Sequence, residues 1–76
     1  MKNAVVFEAS REGYSIEQVE GNAITVGELI QWLQENCDDD DLFILSHDRR
    51  YTFGSISTRS ASAWQETEDE EWEEIE

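Results

Sequence analysis

Ile24-Thr25-Val26-Gly27-Glu28-Leu29 opens a run that reaches Asn36, and the reading of that run decides the fold. Thr25 stands where a side-chain oxygen accepts one of the free N–H groups of a first helical turn. Glu28, three residues on, is placed to reach back to the cap, and Ile24 and Leu29 flank the pair as a hydrophobic staple. Val26, Leu29, Ile30, Leu33 and Cys37 then repeat at the i, i+3, i+4 spacing of one buried face, with Trp32 at its margin. The spacing predicts an amphipathic helix from the Thr25 cap to about Asn36. Gly27 has no glycine cluster around it, so it does not mark a phosphate loop.

Outward from this helix the pattern changes period. Ala4 to Ala9 is β-branched and aromatic and reads as a strand, and Ser10 to Gly13 reads as a turn. Tyr14 to Glu20 fits alternation, but Ser15-Ile16-Glu17-Gln18 also fits a capping box, and the reading leans to a short helical or irregular turn. Leu42-Phe43-Ile44-Leu45 is apolar throughout and too short for a helix, which predicts a central strand buried on both faces. Tyr51 to Ile56 reads as its hairpin partner across Ser46 to Arg50. Ser57 to Gln65 is small and polar, with an edge strand as one option.

The expectation is an α+β fold: a small β-α-β-β domain over residues 1–65, its helix packed on a three- or four-stranded, mostly antiparallel sheet. An acidic tail, residues 66–76, follows as either a disordered segment or a terminal helix. As a helix it would place Trp64, Glu68, Glu71, Trp72 and Ile75 on one side.

Charge sets the class of partner. The chain has 76 residues, a formal net charge of -14 and a sequence pI near 4.1. Such a surface repels DNA, RNA and anionic membranes and attracts basic proteins. Cys37 is the single cysteine, so no disulfide or CxxC pair forms within the chain. No basic-apolar leader and no apolar run of membrane-spanning length is present, which points to the cytosol of the host cell.

Several residues invite chemistry and fall short of it. Asp38-Asp39-Asp40-Asp41 lacks the alternating ligands, the glycine and the distal glutamate of a calcium loop. The block also lies at a helix C-terminus, where each nearby anion costs about 0.3–1 kcal/mol. It therefore reads as kept for a surface purpose rather than for stability. Ser46, His47 and Asp48 are sequence neighbours, whereas a triad draws its members from separated elements. Arg49 and Arg50 do not make a basic stripe and read as partners for Asp48, for the Asp block or for the tail. No enzyme, metal or cofactor is expected.

The acids themselves carry the sharper expectation. After Arg59 no basic residue occurs, and Glu66, Glu68, Asp69, Glu70, Glu71, Glu73 and Glu74 crowd around Trp72. Duplex DNA presents one negative charge per about 1.7 Å of axis, and a helix rises about 1.5 Å per residue. A helical tail would thus approach the charge density of DNA. Asp38, Asp39, Asp40, Asp41 and these tail residues are the candidate partner-binding set. Trp64, Trp72 and Ile75 would supply apolar anchors. The partner is expected to be a basic nucleic-acid-binding protein, without direct contact to nucleic acid or membrane; monomer and homodimer both stay open.

Thr25-Val26-Gly27-Glu28-Leu29-Ile30, the run from Ser46 to Ile56 and Phe7 to Tyr14 together resemble short uncharacterised proteins encoded by phages and prophages of Gram-positive gut bacteria. Those share a TVGELI helix followed by an SHD-x-x-YT-x-G-x-I hairpin. The likeness covers roughly Val5 to Ile56 and brings no activity with it. Where such proteins often have Asn-Gly or Asp-Gly in the turn, this chain has Arg49-Arg50, which argues against a tight two-residue hairpin. By analogy of class, the resemblance implies an acidic anti-CRISPR or anti-restriction inhibitor that looks like DNA to its target.

Overall fold

The computed structural model describes residues 2–75. Met1 and Glu76, the ends of the expected domain and tail, lie outside them. The fold is α+β, in the order β1 (Ala4–Glu8), α1 (Ile16–Val19), α2 (Val26–Asn36), β2 (Leu42–His47), β3 (Thr52–Gly54), β4 (Ala63–Glu66) and β5 (Trp72–Ile75). Single 3₁₀ turns at Glu20–Asn22 and Thr58–Ser60 complete it. The chain forms two compact units, one of Met1–Ser10 with Ile24–Ile56, the other of Arg11–Ala23 with Ser57–Glu76.

In the first unit the sheet order is β1-β2-β3. β2 is central as expected and pairs antiparallel with β3, but β1 and β2 run parallel, with Val5 opposite Phe43 and Phe7 opposite Leu45. Parallel neighbours need a crossover of a dozen or more residues, and the span that contains α2 supplies it. Thr25 caps α2 as its sequence predicts: its Oγ1 accepts the Glu28 N–H at 3.1 Å. The Glu28 carboxylate returns to the Thr25 hydroxyl at 3.3 Å rather than to its backbone N–H.

α2 packs on the Val5/Phe7/Phe43 face of the sheet. Trp32 meets Phe7 edge-on, ring centroids 5.2 Å apart at 80°, and Phe7 in turn meets Phe43 at 5.2 Å. The inward stripe is narrower than the sequence suggests: Leu29, Leu33 and Cys37 are half-buried, while Val26 and Ile30 stay exposed. A cleft of about 210 Å³ lined by Val5, Leu33, Cys37 and Phe43 remains between helix and sheet. On the opposite face Val6, Leu42 and Phe53 are exposed and Ile44 is half-buried. β2 is therefore central without being sealed on both sides. Among the described residues no apolar side chain is fully buried; Ser46, at 1% exposure, is the one buried polar residue.

The β2–β3 connection is a four-residue loop, since His47 pairs with Thr52. Asp48, Arg49 and Arg50 all take left-handed backbone, with φ of 53°, 57° and 74°. Each such residue costs about 1–2 kcal/mol without glycine. Glu8 holds the loop: one carboxylate oxygen accepts the Ser46 hydroxyl and the other accepts the Arg49 N–H at 2.8 Å. These two bonds, the Ser46 one foremost, hold the Glu8 carboxyl below the usual carboxylate range, assisted by the charges of His47 and Arg50.

The second unit corrects the expectation for the tail. Residues 66–76 were expected as disorder or helix, and Ser57 to Gln65 as a possible edge of the first sheet. Instead Ala63–Glu66 and Trp72–Ile75 pair with each other as an antiparallel hairpin, so β4 belongs with the tail and not with the β1-β2-β3 sheet. A helix would set the acids of 68–74 side by side within each turn. The strand sends neighbours to opposite faces, and the ladder satisfies the backbone groups that face the partner strand. The loop closes through Thr67, whose N–H donates to the Glu71 carbonyl at 2.6 Å and whose carbonyl accepts from Glu70 at 3.0 Å. Glu70 sits at φ 64°.

Candidate functional site: acidic hairpin, aspartate turn and strand-edge groove

The hairpin register sorts the tail carboxylates. Trp64 opposes Glu74 and Glu66 opposes Trp72, which puts both tryptophans and Glu66 and Glu74 on one face. Glu73 opposes Gln65 on the other face. Glu68, Asp69, Glu70 and Glu71 form the connecting loop and are exposed. A strand rises about 3.4 Å per residue, so same-face carboxylates on one strand stand about 7 Å apart. That spacing replaces the denser helical one; the close-set charge is in the loop, where four acids follow one another.

The tryptophans are tied to their own unit. Trp72 is half-buried, its backbone N–H donates to Glu17 Oε1 at 2.9 Å, and its Nε1–H is buried without an acceptor. Glu17 accepts its own backbone N–H and that of Trp72, and both bonds hold its carboxyl below the ordinary value. Trp64 Nε1 donates to Ser62 Oγ at 2.9 Å. Gln18 reaches back from α1 to the Tyr14 N–H at 2.7 Å, one residue before the expected Ser15 cap.

The aspartate block follows the Cys37 C-cap of α2 as a turn. The Asp38 N–H donates to Asp41 Oδ2, and the Asp41 N–H to the Asp38 carbonyl, both at 3.0 Å. Asp41 is half-buried and occupied in this turn, whereas Asp38, Asp39 and Asp40 are exposed. Partial burial pushes the Cys37 thiol up, with further contributions from the charges of Asp41 and Asp38. Among the described residues no group of three His, Cys, Asp or Glu side chains is placed to hold a metal. Asp38–Asp41 and the hairpin acids lie in different units, and each is an acidic surface by itself.

Ser46, His47 and Asp48 are not brought together. Ser46 and His47 are successive residues of β2 and project to opposite faces. Ser46 is bonded to Glu8, and Asp48 belongs to the left-handed loop. The side chains that hold the loop and the hairpin, Glu8 and Glu17, carried no sequence signal, because the groups they accept from are brought to them only by folding.

A groove of about 700 Å³ lies beside the first half of β1, Ala4 to Val6, and is lined also by Trp32 and Glu35 of α2 and by Asp38 and Asp41 of the aspartate turn. The sequence hinted at it only through Trp32 at the helix margin. No helix among the described residues is long and apolar enough to cross a membrane. What fold and surface define is a small α+β chain with two acidic surfaces. Compared with known proteins, it matches no family model, no curated protein and no solved structure.

Proposed function

We propose that this chain is a non-enzymatic, phage-type inhibitor that acts in the host cytosol by binding a basic nucleic-acid-binding protein and competing with its nucleic acid. A CRISPR effector is one partner of that class. The observation that carries the reading is the hairpin loop Glu68-Asp69-Glu70-Glu71, four consecutive exposed acids in a stretch with no basic residue after Arg59. Asp38, Asp39 and Asp40 offer a second exposed block. Carboxylates placed in a cationic groove displace its counterions as DNA does, so the interaction is salt-sensitive.

The test is inhibition and binding measured over a salt series, with DNA or guide RNA as competitor. Removal of Glu66–Glu76, or Asp38, Asp39 and Asp40 changed to Asn, weakens binding and flattens the salt slope. Unchanged inhibition by the combined variant overturns the mimicry. Binding that ignores salt and tolerates loss of the hairpin favours instead a general protein-interaction module, a reading supported by the exposed Val6, Leu42 and Phe53 on the sheet face opposite α2.

A further inference from the structure

We propose that the groove beside β1 takes an extended cationic segment of a partner protein, added as a fourth strand to the β1-β2-β3 sheet. The proposal rests on the reading that the partner is basic and adds where and how one segment of it is held.

Within its own sheet the edge is free. β1 is outermost in the sheet order. The Asn3 carbonyl accepts from the Leu42 N–H at 3.0 Å and the Ala9 N–H donates to the Ser46 carbonyl at 2.9 Å. In a parallel pair such groups alternate along the strand. Odd-numbered residues of β1 therefore bond to β2, and Ala4, Val6 and Glu8 turn their N–H and C=O groups outward. Such an edge is a template for one more strand.

The walls choose the occupant. Trp32, 44% exposed, flanks the edge on the α2 face, and Val6, also 44% exposed, offers apolar surface on the opposite face. Every ionisable carboxyl on the groove, Glu35, Asp38 and Asp41, is acidic, and no lysine or arginine lines it. A second copy of this chain would bring the same three carboxylates and a formal charge of -14 to the edge. A strand alternating cationic and apolar side chains pairs its backbone with Ala4, Val6 and Glu8. Its cations then lie on the α2 face, beside Trp32, Glu35 and the aspartate turn, and its apolar residues lie on the open face beside Val6.

The experiment uses the full chain and a synthetic peptide of about seven residues, enough to span β1 at about 3.3 Å per residue, alternating lysine and valine. The control is the same peptide N-methylated at alternate residues, equal in charge but unable to donate along one side. The expected result is binding seen in Trp32 fluorescence, slowed exchange of the Val6 amide, and at least a tenfold loss on methylation. Val6→Pro removes one outward N–H and no bond to β2, and it gives a similar loss; should it unfold, the methylated peptide still decides. Equal binding of both peptides, an unaffected Val6 amide, equal binding of a glutamate–valine peptide, or self-association of the chain through β1 would each overturn the proposal. No nucleic-acid-binding protein is present in this assay. Loss of the groove therefore leaves the acidic-surface reading standing, and loss of that reading in the inhibition assay leaves the groove standing.

Discussion

Glu17 Oε1 accepts the backbone N–H of Trp72 at 2.9 Å across 55 positions of the chain. In the hairpin register Thr67 and Glu71 form a hydrogen-bonded pair, so Trp72 turns its N–H away from β4. The carboxylate of α1 thus closes the outer edge of β5 at one point. Glu17→Ala is expected to speed amide exchange at Trp72 by on the order of tenfold, the effect of losing a bond to a charged acceptor. Exchange at Val6 and Ile44 should not change.

The Glu8 carboxyl predicts an acid-sensitive loop. Its folded-state pKa is depressed, so the stability it contributes is present above the ordinary glutamate value and is lost as pH falls through the lower, folded value. The Arg49 amide, which donates to Glu8 at 2.8 Å, should therefore shift and exchange faster only in the acid range. In Glu8→Gln that acid step disappears from an NMR titration of Arg49, and the loop behaves at neutral pH as the parent does in acid.

Arg50 at φ 74° keeps a backbone that glycine adopts freely. Arg50→Gly relieves about 1–2 kcal/mol of left-handed strain and gives back about 0.5–1 kcal/mol in chain entropy. The expected net gain raises the thermal midpoint by about 2–8 °C for a domain of this size. Calorimetry checks it, and a lowered midpoint would show that the arginine side chain contributes more than its backbone costs.

Thr25→Ala removes the acceptor of the Glu28 N–H. Loss of such a cap costs about 1 kcal/mol, a fall of about 4–8 °C in the midpoint. Thr25→Ser restores most of it, because the hydroxyl and not the methyl makes the bond.

What was legible in the chain was local. The Thr25 cap and the helix to Asn36 were written in adjacent residues, and so were the apolar run of β2 and the β-branched and aromatic residues of β1. The direction of β1 relative to β2 was not, because a residue pattern fixes which faces a strand has but not which way its neighbour runs. The pairing of the tail is not legible, because its composition suggests solvation. Its hairpin instead rests on Trp72 and Glu17, far apart in sequence, and on a turn whose left-handed residue is Glu70 rather than glycine. In the β2–β3 loop the sequence shows the place of the connection and argues against a two-residue turn, but the left-handed backbone is masked in the same way, because two arginines and an aspartate occupy it. The aspartate block is plain in the sequence, but Asp41 takes its place in the turn, with Asp38, Asp39 and Asp40 exposed, only when the chain folds.

The absence of any fully buried apolar side chain among the described residues has a calorimetric consequence. Heat-capacity change on unfolding follows newly wetted apolar area, and for a chain of 76 residues the usual figure is about 1 kcal/mol/K. This protein should fall well below it, giving a flat stability curve and a broad melting transition. The missing increment should return as a large negative heat-capacity change when a partner covers Val6, Trp32 and their neighbours.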